Sequence, residues 1–150
     1  MASVRGTQEE DLVYLGKRLR DADCRELEAH NATPDEALRL GFELSRPCLT
    51  VEHEGRPIAM FGTTPSPVVE SLGYVWLLGS DEIADISMQF LRESRQWLSA
   101  IGEGYEVLCN SVHTDNTLHH KWLLFLGFRF LNHKPPFIEF ARTSPCVTQS

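Results

Sequence analysis

No stretch of this sequence runs to about 18 apolar residues, the length a membrane-crossing helix needs, so no span is expected. No apolar segment follows Met1 either, and no secretory leader is expected. Basic residues are the minority. The chain has 14 Lys and Arg against 21 Asp and Glu, for a formal net charge of −7. Nucleic-acid binding draws on Lys and Arg against phosphate, so this balance disfavours a nucleic-acid module. The four cysteines, Cys24, Cys48, Cys109 and Cys146, form no CxxC pair and show no zinc-site spacing. They read as reduced thiols of a cytoplasmic protein. Repeats, low-complexity tracts and internal linkers are missing as well.

What remains is enough for one domain. The 150 residues are 42% hydrophobic, so the chain can bury a core without staples. "VRGTQEEDL" reads as a short strand and a helix start, with Thr7 and Glu10 as a capping box and Leu12, Leu15 and Leu19 facing inward. "ATPDEALRLGFELS" repeats that signal, with Thr33 as N-cap, Pro34 at the first helical position and Glu36 closing the box. Leu38, Phe42 and Leu44 are its expected inner face. "CLTVEHEGRPIAMFGTT" alternates about a Glu54-Gly55-Arg56 turn, which predicts a hairpin.

"YVWLLGS" reads as a buried strand. Residues 81–101 read as a helix ended by Gly102 and Gly104, with Ile86, Phe90, Leu91, Trp97, Leu98 and Ile101 on its apolar face. "YEVLCNSV" is a strand, residues 117–126 a helix stopped by Gly127, and two further strands lie either side of Pro135-Pro136. In the 117–126 helix Trp122, Leu123, Phe125 and Leu126 read as core. The strand–helix–strand unit over 74–109 implies a right-handed crossover and a parallel pair. The expected fold class is α/β: a mixed, mostly antiparallel sheet with helices on both faces. One domain is expected over 1–141, with 142–150 as a flexible tail.

The order of elements, with Asn116 opening a helix and Gly127-Phe128 following eleven and twelve residues later, resembles the GNAT superfamily of Gcn5-related N-acetyltransferases. "HEGRPIAMFG" and "VRGTQEEDL" resemble that family's second and third strands and its start. Within the superfamily, Ser80-Asp81 together with Asn116-Thr117-Leu118-His119 is similar to the GNAT-like internal virion proteins of short-tailed phages. The GNAT resemblance implies an acetyl-CoA site between the fourth and fifth strands, which splay apart. Leu77, Leu78, Gly79, Ile86, Ser87 and Asn116 would then hold the cofactor. The phage resemblance implies work as a virion-associated assembly or binding protein, in the virion or the host cytoplasm.

Two features speak against turnover. Phosphate cradles use glycines, so that backbone N–H groups approach the anion at a helix start. Here the loop "GSDEIADIS" has no glycine after Gly79 and carries Asp81, Glu82 and Asp85. These acids are expected to cap the following helix instead. The position seven residues after Asn116, where many of these enzymes place a Tyr acid, is Leu123. Tyr74, Tyr105 and Cys109 are substitutes that the sequence does not rank.

Candidate bases are Glu52, His53 and Glu54 at the hairpin, Glu70 before the fourth strand, and His113, His119 and His120. His119 reads first as a helix-start side chain bonded to nearby backbone, and Asn116 as a helix cap. No metal is expected, because no carboxylate or Cys spacing supports the histidines as ligands. The partners expected are other phage virion proteins or a host protein. Self-association is left open. The last strand, Phe137 to Ala141, and then the tail from Arg142 to Ser150, are the expected contacts, since sheet edges offer unpaired backbone. The alternative reading is an active N-acetyltransferase using acetyl-CoA on a host or phage amine.

Overall fold

Glu54 and Gly55 both take positive φ, 52° and 77°. That is the two-residue turn whose twist suits antiparallel strands, and it joins β2 (Cys48–His53) to β3 (Arg56–Pro65). The computed structural model describes residues 2–143. Before the hairpin lie β1 (Ala2–Gly6), α1 (Glu9–Gly16), α2 (Asp21–Ala29) and α3 (Pro34–Leu44). After it come β4 (Leu72–Gly79), a 3-10 turn (Asp81–Ile86), α4 (Ser87–Gly102), β5 (Val107–His113), α5 (Thr117–Phe125), β6 (Arg129–Lys134) and β7 (Phe137–Thr143).

The strands form one sheet in the order β1-β2-β3-β4-β5-β7-β6. Every neighbouring pair is antiparallel except β4–β5, which is parallel across the α4 crossover. Alternation along β3 divides the core. Met60 joins Leu12, Leu15, Leu38 and Leu78 under α1 and α3. Ala59 and Phe61 join Phe90, Leu98 and Trp122 under α4 and α5. Leu15 and Leu38 have no exposed surface, and burying each stabilises by roughly 1.5–3 kcal/mol. The mixed sheet, covered on both faces, is the fold class the sequence predicts.

Several local expectations need correction. The sequence suggests two helices before the hairpin, but there are three. α2 was missed because its inward face is built from carboxylates as well as Leu27, so no apolar period marks it. The first capping box is one residue later than predicted: Gln8 is the N-cap and Asp11 the closing acid. Thr7 bonds Thr50 at 2.8 Å instead. Leu44 and Phe125 are 44% and 42% exposed rather than core, and Phe125 lies under the Arg95 guanidinium. The long helix begins at Ser87, because residues 81–86 wind as a 3-10 turn.

β7 is not an edge strand. It pairs with β5 on one side and β6 on the other, so both its backbone rows are used. The sheet edges are β1 and β6. β7 also continues through Arg142 and Thr143, two residues into the predicted tail. The remainder of that tail and Cys146 lie outside the described residues. Cys24, Cys48 and Cys109 are free thiols.

Candidate functional site

Pairing between β4 and β5 stops after Tyr74↔Cys109. At the next step the Asn110 side chain takes over backbone partners: its amide donates to the Val75 carbonyl at 2.9 Å and its Oδ1 accepts from the Ser111 N–H at 2.8 Å. A side chain thereby satisfies groups that a continued ladder would have used. Beyond it the strands diverge around a cleft of about 480 Å³. Trp76, Leu77 and Leu78 of β4 line it, with Phe90 from α4 and Trp122 and Leu123 from α5. The volume lies within the range of small-molecule sites.

α2 bridges the two diverging strand ends. Asp23 and Glu26, three residues apart, lie on one helical face. Asp23 Oδ2 accepts from the Gly79 N–H at 3.0 Å, at the end of β4. Glu26 Oε1 accepts from the His113 N–H at 2.8 Å, at the end of β5. Asn116 joins the two, since its Nδ2 lies 3.2 Å from Asp23 Oδ1, 3.0 Å from Glu26 Oε1 and 3.1 Å from His119 Nδ1. Arg20 Nη1 is 3.4 Å from Asp23 Oδ1, Asn116 Oδ1 and His119 Nε2. Asp23 and Asn116 are completely buried. His119 also stacks on Trp122 with ring centres 5.4 Å apart.

Burial sets the protonation of this network. It pushes the Asp23 carboxyl up to about 6, against the Gly79 N–H and Arg20, which favour the anion. It pushes the His119 imidazole down to about 4, with the Glu26 charge opposing and Arg20 assisting. Near neutral pH the pair is therefore a carboxylate and a neutral ring. The neutral ring has one acceptor nitrogen, and its tautomer decides whether Nδ1 accepts from Asn116 or Nε2 from Arg20; Nε2 also lies 3.8 Å from Asp23 Oδ1.

One ligand atom each from Asp23, Glu26 and His119 falls within 4.8 Å of the others, a set able to contact a divalent ion. The seat is taken, however. The Asn116 amide group lies among the three acceptors, and a guanidinium lies beside them. The arrangement works as a hydrogen-bond network that leaves Glu26 Oε2 toward the cleft without a hydrogen bond among the described residues.

The strand end where a pyrophosphate cradle would begin is also committed. The Gly79 carbonyl accepts from the Arg20 N–H at 2.8 Å, and the Ser80 N–H donates to the Ile58 carbonyl at 2.9 Å. Leu19 forms a bridge with Ser80. Glu82 holds Arg56 from the hairpin turn through contacts of 3.2 and 3.3 Å. The acids do not cap α4 as expected: its N-cap is Ile86, and its first turn has no acidic residue.

The candidate residues divide accordingly. Leu77, Leu78 and His119 line the cleft. Gly79 and Asn116 bound it through the α2 network, Ile86 is buried in the core, and Ser87 opens α4. Glu52 pairs with Arg5 on the outer strands. Glu70 is exposed in the turn before β4, and Tyr105 packs near Gly73, both at the closed end of the β4–β5 pair. His53 and Glu54 sit at the hairpin, and Tyr74 and Cys109 form the last closed pair. His113 supplies backbone, bonding Glu26 through its N–H and His120 Nε2 through its carbonyl.

Two expectations at this site are corrected. Asn116 makes no side-chain cap bond, because its amide is spent on α2. His119 faces side chains, not the nearby backbone. Sequence reasoning missed Arg20, Asp23 and Glu26. The readable signal was an acidic pair at helical spacing in "RDADCRELEA".

No protein-family model matches the chain, and no curated protein does. Solved structures do match along nearly its whole length. AAC(6')-Ib, in complex with ribostamycin and coenzyme A, superposes with a TM-score of 0.69 at 11% identity, over 99% of this chain and 97% of that one. The ribosomal-protein-S18-alanine N-acetyltransferase of Escherichia coli gives 0.63 at 15% identity, over 95% and 94%. A GNAT-family acetyltransferase from Streptococcus pneumoniae gives 0.61 at 14% identity, over 95% and 99%. The fold is therefore that of the GNAT acetyltransferases.

Proposed function

We propose that this protein uses the GNAT scaffold as a binding module and that its cofactor site no longer supports turnover with acetyl-CoA. The observation that carries the reading is the Asp23 carboxylate on the Gly79 N–H at 3.0 Å. An internal anion occupies the strand-end donor, and three further acids follow in the next turn. The residues present do not fit a pyrophosphate: like charges there oppose it, and the nearby cations are engaged, Arg56 by Glu82 and Glu54 and Arg20 by Asp23. The partner is a virion protein of a tailed phage or a host protein, as the resemblance over Ser80-Asp81 and Asn116–His119 suggests. The free edges β1 and β6 are where another chain can add backbone hydrogen bonds.

Calorimetric titration with acetyl-CoA and CoA at low salt tests the first part. Binding no tighter than about 10 μM, which corresponds to roughly −7 kcal/mol, is expected. A tighter constant overturns the reading. Mass spectrometry of purified phage particles tests the second, with this chain expected among the virion proteins.

One observation favours an active N-acetyltransferase instead: the β4–β5 cleft is open, with His119 on its wall. Under that reading a host or phage amine becomes acetylated in the presence of the chain, and the modification vanishes on its deletion.

A further inference from the structure

The charges around the cleft are one-sided. Two carboxylates, Glu26 and Glu36, line it, and no Lys or Arg does among the described lining residues. Other acids have a cation in contact: Arg20 pairs with Asp23, Arg56 with Glu82 and Arg5 with Asp11, whereas Arg20 makes no ion pair with Glu26. Glu26 has no ion-pair partner among the described residues. Its Oε1 is fixed by the His113 N–H and the Asn116 amide, and its Oε2 accepts no hydrogen bond there. The carboxylate is thus oriented and only half satisfied.

The rest of the wall is mainly apolar and includes several aromatic side chains. Trp76 is held by its Nε1–H donating to Ser45 Oγ at 2.8 Å, and α3 approaches it so closely that a Cβ on Gly41 would come within 2.5 Å of the indole. Phe61, Phe90 and Trp122 line the cleft from the other face of the sheet, on the α4–α5 side. Aromatic faces attract cations, and quaternary ammonium groups are recognised by aromatic walls with a nearby anion.

We propose that the cleft binds an organic cation with an apolar body, its charge facing Glu26 and its body between β4 and the α4–α5 side. The inference names an occupant for the site just described, and rests on the reading of that site as one for binding. The cation needs no transferable proton, so a quaternary ammonium serves as well as an amine.

The test uses three probes that share one body: (4-phenylbutyl)trimethylammonium, 4-phenylbutanol and 4-phenylbutyrate, titrated into the full chain by calorimetry at low salt. The cation is expected to bind at least tenfold more tightly than the alcohol, and the carboxylate more weakly than either. Glu26→Gln keeps acceptors for the His113 N–H and Asn116. It is expected to bring the cation within about twofold of the alcohol, while alcohol binding stays unchanged.

Glu36→Gln retains the capping box and serves as a second variant, with a smaller loss of the preference expected. Equal or reversed preference among the probes, no binding of the cation, or a preference that survives both substitutions overturns the proposal. The result is separable from the cofactor question. Tight acetyl-CoA binding would overturn the functional reading whatever the ammonium probe does, and absent ammonium binding leaves a weak CoA result intact.

Discussion

The backbone N–H of Gly79 donates to Asp23 Oδ2 at 3.0 Å, linking the end of β4 to a helix 56 residues earlier in the chain. With Glu26 on the His113 N–H, it makes α2 a strap across the two strands whose pairing ends at Tyr74 and Cys109. The strap sets both the shape of the cleft mouth and its charge.

The first consequence is an unusual pH profile. Asp23 is raised from 3.8 to about 6, so the folded state holds that proton more tightly. Its contribution to stability is full below about pH 4 and is lost as pH rises through about 6. His119 is lowered from 6.5 to about 4, so its contribution is full above about 6.5 and is lost as pH falls through about 4. Between about pH 4 and 6 the two slopes oppose, and the native chain should show little change from this pair. His119→Gln should lose stability as pH rises over that window, and Asp23→Asn should gain it. Urea denaturation of both variants at a series of pH values checks the signs, and slopes of the same sign would refute the assignment.

Asn116→Ala should cost more than a lost helix cap. The substitution strips a hydrogen-bond donor from Asp23 and Glu26 and an acceptor from Arg20. Leaving buried charged groups short of partners costs about 3 kcal/mol, against about 1 for a cap. A loss of 1 kcal/mol or less in urea denaturation would mean that water or a shifted Arg20 replaces the amide.

Replacing the acidic loop should not by itself restore a cofactor site. The triple variant Asp81→Gly, Glu82→Arg, Asp85→Gly leaves the Gly79 N–H bonded to Asp23. Acetyl-CoA binding should stay undetectable by calorimetry until Asp23→Ala is added, when affinity should rise at least tenfold. Recovery in the triple variant alone would show that loop charge was the whole obstacle.

Gly41→Ala should destabilise by about 1–3 kcal/mol, the usual cost of overpacking. The new methyl would lie 2.5 Å from the Trp76 ring, and the indole is tethered to Ser45. A lower Tm with a changed near-UV tryptophan signal is expected. An unchanged Tm would show that α3 can move away from β4 freely.

Much of this structure was legible in the residues because it depends on neighbours in sequence. The capping box at Thr33 and Glu36, the Glu54-Gly55 turn and the Gly127 stop are short-range chemistry, and each appears as read. The parallel β4–β5 pair followed from crossover handedness, a rule that needs only the order of elements. The glycine-poor, acidic turn after Gly79 was equally plain. What that turn does was not: Glu82 meets Arg56, from a hairpin 26 residues earlier, rather than the helix it precedes.

Only the tertiary structure decided the site. α2 carries no apolar stripe, because its inward face is satisfied by two backbone N–H groups and an amide, 87 or more residues away in the case of β5 and α5. Periodicity records burial driven by the hydrophobic effect, and a helix buried through polar partners leaves no such mark. The same logic moved β7 from an expected edge to the sheet interior, since strand order is set by which faces meet and not by position in the chain. The sequence by itself determined most of the elements, the Thr33 cap and the chain's excess of acidic over basic residues. Long-range pairing alone determined that two carboxylates would strap that cleft at its mouth, because hydrogen bonds to strand ends form only once the sheet has already brought those ends together.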